Sequence, residues 1–257
     1  MQVLMVGGAG LVGSIVRPAV EMEHDVWVYD RHAVSQAAHP TIVADVEDDT
    51  AIKAALAGMD AVTYMALGAP PDGSKRVGDV DLAFNINARA LYRFLKFGFE
   101  AGVKRFVYTS TFDVYGSTFG QYHRHWNRET RSYVPDPEGL QPLKEDDPLL
   151  GWETYAISKR IGETICQAAA DINPEAVIVV LRLITPRDEA NFAAAHRSAK
   201  RHGMVATGPN DLRRLMVASL ALDRPGCHIV QASSDVEGER FSNARATELL
   251  GWTPQGD

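Results

Sequence analysis

The sequence predicts an α/β protein, a doubly wound parallel sheet with a small C-terminal lobe, on three observations. Short apolar runs alternate with amphipathic stretches through the first half, the pattern of a parallel sheet wound by helices. A glycine-rich turn, Gly7-Gly8-Ala9-Gly10-Leu11-Val12-Gly13, follows the first apolar run directly and opens an amphipathic stretch. An aspartate, Asp30, then closes the second apolar run, about 20 residues beyond the turn, which is the Rossmann-type arrangement.

In chain order, Val3-Leu4-Met5-Val6 is the first strand and 11–22 the helix that the glycines open. Val26-Trp27-Val28-Tyr29-Asp30 is the second strand, 41–43 a short third, 50–57 a helix and 61–65 the fourth strand. The stretch 81–101 is predicted helical, and Gly102 ends it as a left-handed stop before a strand at 105–109. This helix is apolar on more than one face, with Phe84, Leu91, Phe94 and Leu95 but also Tyr92, Phe97 and Phe99. Such a helix is buried on two sides, one against the sheet and one against a partner subunit. Helices at 153–170, 189–202, 211–222 and 242–250 and strands at 176–183 and 228–231 complete the pattern. Between them, 117–150 breaks the alternation with prolines, charges and the aromatics Phe119, Tyr122, Trp126 and Tyr133. A loop of that length is functional or mobile, so a lid beside the site and a passive surface insertion are both open. The domain reading is 1–183 for the nucleotide domain and 184–257 for a small substrate lobe interleaved with it.

Bulk properties narrow the function classes. The 257 residues suffice for one large core, and the composition is 46% apolar and 23% charged. A net charge of −7 argues against nucleic acid as a partner. Cys166 and Cys227 make no disulfide framework, which favours a reduced, cytoplasmic setting. No signal peptide is expected, since the chain starts on an apolar strand, and no apolar run approaches a membrane span. His123 with His125, and Cys227 with His228, fall short of a ligand set, so no metal is expected.

The glycines have distinct uses. Gly7 allows a sharp turn, Gly10 close approach of a pyrophosphate and Gly13 tight packing of helix on strand. The helix start at Leu11 and Val12 offers unpaired N–H groups and a positive dipole end to phosphates. Asp30 can bind both ribose hydroxyls of NAD and would repel a 2′-phosphate; Arg31 beside it keeps NADP open as the lesser alternative.

A second constellation carries chemistry. In Tyr155-Ala156-Ile157-Ser158-Lys159 the phenol and ammonium are four residues apart, on one helical face. A free tyrosine titrates near ~10; a neighbouring ammonium favours the phenolate and lowers that value. Such a tyrosine can exchange a proton with a substrate hydroxyl while hydride moves to or from a nicotinamide. Upstream, Tyr108-Thr109-Ser110-Thr111 ends a predicted strand with hydroxyls at the edge where ligands bind.

With these residues in view, the sequence resembles the extended short-chain dehydrogenases/reductases, the NAD-dependent epimerase/dehydratase family. The resemblance runs from residue 1 to about 183 and more weakly beyond. It is carried by Gly7, Gly10 and Gly13, Asp30, Asp45 in Val43-Ala44-Asp45-Val46, Tyr64-Met65-Ala66-Leu67, Asn87, Thr109-Ser110-Thr111-Phe112-Asp113-Val114-Tyr115-Gly116, Glu145-Asp146-Asp147-Pro148, and Tyr155 with Lys159. It implies that Thr111 hydrogen-bonds the substrate oxygen, with Ser110 as substitute, that Tyr155 is the acid/base, and that Lys159 holds the nicotinamide ribose. It implies a structural asparagine at Asn87, or at Asn85 if the helix register slips. Asp45 and Val46 would meet the adenine, and Met65, Ala66 and Leu67 would line the cofactor. Asp113 stands where some dehydratases carry an acid; turn capping is the plainer role. The segment Leu181-Arg182-Leu183-Ile184-Thr185-Pro186 departs from the family's usual asparagine and Tyr-Gly-Pro, and only 98 residues follow Lys159. The short remainder implies a small substrate, and the altered segment, with the tail Phe241-Ser242-Asn243 and Leu250-Gly251-Trp252-Thr253-Pro254, resembles the short uronate-dehydrogenase branch. Arg182 would then pair with a substrate carboxylate, or else cap a strand end. The leading expectation is an NAD-dependent oxidoreductase of a small sugar or sugar acid, working as a homodimer through helices 81–101 and 153–170. A sugar epimerase or dehydratase with transient oxidation is the alternative, and a non-catalytic dinucleotide sensor the third.

Overall fold

The run after Met1 forms β1 (Gln2–Val6), whose last four residues are wholly buried. In the computed structural model, residues 1–68, 79–116, 126–127, 132–133, 142–194, 206–236 and 241–257 are described. From β1 the chain turns at the glycines into α1 (Leu11–Glu21) and returns in β2 (Asp25–Asp30). There follow β3 (Ile42–Val43), α2 (Asp49–Leu56) and β4 (Ala61–Tyr64). Asp48 caps α2, accepting from the N–H groups of Thr50 and Ala51. Beyond residue 78 a long helical stretch comprises α3 (Val80–Phe84), a π-helical segment (Asn85–Ala90) and α4 (Leu91–Glu100), leading to β5 (Arg105–Thr111). Further on lie the short ribbon β6 (Trp126–Asn127) and β7 (Ser132–Tyr133), then α5 (Thr154–Ile172), β8 (Val177–Leu183), α6 (Pro209–Ala221), β9 (Gly226–Ala232) and α7 (Ala244–Leu250).

Seven strands form one parallel sheet in the order β3-β2-β1-β4-β5-β8-β9. The winding reverses between β1 and β4, so a crevice opens at their C-terminal ends, the usual ligand site of such sheets. Both faces are covered. One core cluster joins Ile52, Leu91, Phe94 and Cys166 from α2, α4 and α5 to the sheet, and the other joins Ile15, Val16, Leu212 and Leu215 from α1 and α6. Hence β1, β4, β5 and β8 are buried along nearly their whole length, with no alternation of buried and exposed residues.

Each expected strand lies in one of these seven. The consequential difference is at β5, which runs two residues past the expected end, so that Ser110 and Thr111 pair in register with Arg182 and Leu183. Only 189–194 of the helix expected at 189–202 falls within the described residues, and it is helical. Most of the 117–150 insertion, including Phe119 and Tyr122, lies outside them. The stretch 184–257 is interleaved deeply: β9 takes the sheet edge, and α6 and α7 pack in the layer with α1. The aromatic crowding of 81–101 is largely absorbed within the chain. Phe94 is buried, Phe97 lies under the Lys53 ammonium at 4.5 Å, and Phe99 meets Phe106 edge-on; Tyr92 is 53% exposed.

The π segment has a local cause. Tyr64 and Tyr108, reaching over from β4 and β5, donate to the carbonyls of Ile86 (2.6 Å) and Asn87 (3.3 Å). Carbonyls drawn out of the helical ladder are stabilised there, and such segments cluster at functional sites. Gly162 in α5 makes room for this, since a Cβ there would stand 2.3 Å from the Tyr108 hydroxyl.

Candidate active site

At the C-terminal ends of β1, β2, β4, β5 and β8 lies a cleft of about 380 Å³. The expected cofactor residues Gly7, Gly10, Leu11, Val12, Asp30, Arg31, Asp45, Val46, Met65, Ala66 and Leu67 all line it, and Ser110, Thr111, Tyr155 and Lys159 line it as well. Gly7 has φ +81°, and a Cβ there would stand 2.5 Å from the Ala66 nitrogen, so glycine is required twice over. Gly13 is not at the cleft; its missing Cβ lets α1 sit against the Gly8 backbone, as the packing role requires.

Asp30 is already oriented. Its Oδ2 accepts from the Ala9 N–H and its Oδ1 from the His32 N–H, both at 3.0 Å. Asp45 accepts from the Glu47 N–H at 3.0 Å, and its carbonyl takes the Tyr29 hydroxyl at 2.6 Å. A glycine cradle without Cβ atoms, helix N–H groups that lack helical partners and a fixed carboxylate at the neighbouring strand end together fit a dinucleotide.

At the inner end, α5 brings Tyr155 and Lys159 to the cleft, both nearly buried. The Tyr155 and Thr111 side chains are hydrogen-bonded to each other. The Thr111 hydroxyl donates to the Asp113 carboxylate at 3.0 Å and accepts from the Asp113 N–H at 3.2 Å. The cap on this turn is therefore Thr111, and not Asp113, for which capping was the plainer expectation. Lys159 Nζ donates to the Thr109 carbonyl at 2.8 Å and lies 4.8 Å from the Tyr108 ring centre. Burial pushes the Tyr155 phenol well above its usual value, the Asp113 charge adds to this, and the Thr111 hydrogen bond works the other way.

Asn87 stands behind the cleft and is wholly buried. It accepts from the Gly68 N–H (2.9 Å) and donates to the Ser158 hydroxyl (3.0 Å), which donates to the Tyr155 carbonyl (2.8 Å). It thereby ties the chain after β4 to the first turn of α5. It is Asn87, on the π segment, that makes these bonds.

Two of the expected substrate residues are engaged within the protein. Ser110 lines the cleft, but its hydroxyl donates to Glu163 at 2.6 Å. Arg182 is not placed to meet a substrate carboxylate, since it is buried, does not line the cleft and has the Nε–Nη2 side of its guanidinium on Glu163. It donates to both Glu163 oxygens (3.0 and 2.8 Å), to the Tyr115 hydroxyl (3.0 Å) and to the Glu145 carbonyl (2.8 Å). The acid matched to this arginine is the chain's own. Glu163 and Gln231 were not singled out in the sequence, and Tyr115 and Glu145 were named there only as part of the family resemblance. Glu163 was findable, standing four residues after Lys159 on the same helical face; the others meet only through the sheet.

Among the described residues no cluster of three His, Cys, Asp or Glu side chains could hold a metal, and no helix is long and apolar enough to cross a membrane. His123 and His125 lie outside the described residues. His228 is hydrogen-bonded to the Arg224 carbonyl, and burial pushes the Cys227 thiol up to about 12.

Residues 3–200 match the model of the NAD dependent epimerase/dehydratase family. The chain belongs to this family, whose cofactor is the one Asp30 favours. A 3-beta-hydroxysteroid dehydrogenase of Mycolicibacterium neoaurum is 32% identical over 119 residues, 44% of this chain and 32% of that protein. The chain thus spans about a third of the length of the first curated relatives it matches. An NAD-dependent glucose-6-phosphate dehydrogenase of Haloferax volcanii is 24% identical over 269 aligned residues, covering 98% of this chain and 92% of that one. Among solved structures, a short-chain dehydrogenase/reductase superfamily protein of Agrobacterium tumefaciens with bound NAD matches with a TM-score of 0.75 at 19% identity, over 99% of this chain and 93% of the other. That likeness shows a shared fold.

Proposed function

We propose that this protein is an NAD-dependent oxidoreductase acting on a hydroxyl or carbonyl of a small sugar-type substrate through Thr111, Tyr155 and Lys159. The observation that carries the reading is the hydrogen-bonded Thr111–Tyr155 pair at the inner end of a dinucleotide cleft, with Lys159 one helical turn away.

Gly7, Gly10 and the start of α1 would hold the pyrophosphate of NAD, Asp30 the adenosine ribose, and Asp45 with Val46 the adenine. When bound, NAD supplies the carbon that accepts or returns a hydride. Thr111 orients the substrate oxygen, and Tyr155 takes its proton on oxidation or gives one on reduction. Burial keeps the resting phenol protonated, ready to act as an acid. For the oxidative direction Lys159 leaves the Thr109 carbonyl for the nicotinamide ribose, where its charge favours the phenolate. Asn87 holds the start of α5 in register through Ser158. Since Arg182 is spoken for, the substrate reading rests on hydroxyl chemistry, with support from the sugar-phosphate relative that aligns along nearly its whole length. Pairing of two copies through helices 81–101 and 153–170, in a reduced cytoplasmic setting, belongs to the same proposal.

The test is a panel of aldoses, sugar acids and sugar phosphates with NAD+, followed by NADH absorbance. Wild type should accumulate NADH with one class, and Tyr155→Phe should lower kcat by about 100-fold or more while NAD+ affinity holds. Product formed with no net NADH would replace the proposal with epimerisation or dehydration. Cofactor binding without turnover of any kind would leave a dinucleotide sensor.

A further inference from the structure

Lys159 and Glu163 are four residues apart on one face of α5, and both are nearly fully buried. Opposite charges at that spacing pair across a helical turn, the more readily where water is excluded. Here they do not form an ion pair. Glu163 gives both oxygens to the Arg182 fork and accepts from Ser110 besides, while the Lys159 ammonium turns to the Thr109 carbonyl. We propose that Arg182 is a positioning residue for Lys159. By occupying Glu163 it keeps that carboxylate from capturing the ammonium, which stays at the strand end facing the dinucleotide cleft.

Three features of the geometry support this. The Arg182 guanidinium spends no bond on the cleft; its remaining edge goes to Tyr115 and to the Glu145 carbonyl, so it is fixed where it stands. The planar fork matches two carboxylate oxygens at once, which a lysine in its place could not do. Ser110, the third group on Glu163, lies between Thr109, whose carbonyl receives Lys159, and Thr111, which bonds Tyr155. One buried carboxylate, neutralised from behind, therefore anchors the strand end against which lysine and tyrosine are aligned.

The inference rests on the reading of the cleft as a dinucleotide site and not on any substrate, so NAD+ affinity by calorimetry is the main readout, with Tm beside it. Arg182→Met frees Glu163 to take Lys159. It should lower Tm and weaken NAD+ binding by about 10-fold or more, as expected when a functional group is drawn out of position. Glu163→Leu added to Arg182→Met removes the captor; it should restore most of the Tm and most of the NAD+ affinity. Glu163→Gln alone, with no charge to capture the lysine, should bind NAD+ better than Arg182→Met does. Should Arg182→Met not fold, Arg182→Lys, which loses one of the two carboxylate bonds, gives the same comparison at smaller amplitude. A double variant that regains Tm yet binds NAD+ as poorly as Arg182→Met would overturn the proposal. So would an Arg182→Met protein that loses Tm but binds NAD+ normally, since the pair would then be structural alone. If wild type binds NAD+ and oxidises nothing in the sugar panel, the substrate reading falls while this series still decides the role of Arg182.

Discussion

Asp30 shows how far a single side chain can be read. Its place at the end of β2 follows from the strand pattern and its partner from the spacing to the glycines, because both are local in sequence. What the structure adds is that it is held in advance, by the N–H groups of Ala9 and His32. Asp30→Asn should therefore weaken NAD+ binding by about 1.5–3 kcal/mol, the usual worth of a charge-assisted hydrogen bond, and NADP+ should bind more nearly as well as NAD+. Titration calorimetry with both cofactors reads this; unchanged discrimination would place the ribose elsewhere. Arg182 is the instructive miss. Its residue type correctly indicates a carboxylate, but that carboxylate comes from Glu163, and a meeting between β8 and α5 leaves no trace in spacing. Ser110 is hidden for the same reason: a hydroxyl beside Thr111 looks like an understudy until the buried acid behind it is seen.

At the scale of elements, strand positions were legible because four strands are buried on both faces and carry short apolar runs without alternation. The end of β5 was not, since Thr109-Ser110-Thr111 resembles loop chemistry unless its pairing with β8 is known. Nor could periodicity show that the helix across 80–100 carries a π turn, because the cause is two tyrosine hydroxyls arriving from β4 and β5. That turn makes Gly162 a sensitive position. A Cβ there would meet the Tyr108 hydroxyl at 2.3 Å and the Asn87 carbonyl at 3.0 Å, and α5 would have to move outward. Gly162→Ala should cost about 1–3 kcal/mol, typical of an overpacked core, although alanine is the better helix former. Urea unfolding should show a lower midpoint at unchanged slope. A midpoint equal to or above wild type would mean that the contact is slack.

For the molecule as a whole, the division at residue 183 is one of sequence more than of space, since β9, α6 and α7 complete the sheet and its second layer. The buried tyrosines act at this scale too. Burial raises the phenols of Tyr29, Tyr64, Tyr108, Tyr115 and Tyr155 above the usual tyrosine value of about 10. The folded protein therefore holds these protons more tightly than the unfolded chain. The resulting stability is fully present below the unfolded value and is lost as pH climbs from there toward the raised folded values. Melting temperature should show no tyrosine-dependent fall up to about pH 10 and drop steeply above it. Tyrosinate absorbance should rise together with unfolding; ionisation of these phenols well before unfolding would contradict their burial.

The strand order also has a consequence in time. Chains are made from the N-terminus and their parts fold as they emerge. The half-sheet β3-β2-β1-β4 has all its strands by Tyr64, so the glycine turn can be in place early. The inner end closes much later. Tyr115 donates to the Gln231 side chain, and Glu145 accepts the Gln231 N–H, so the cluster around Arg182 stays open until the last strand arrives. A nascent chain of this protein would shape its nucleotide cradle before its reactive end, and the ribosome would have passed Gln231 before the two could work together.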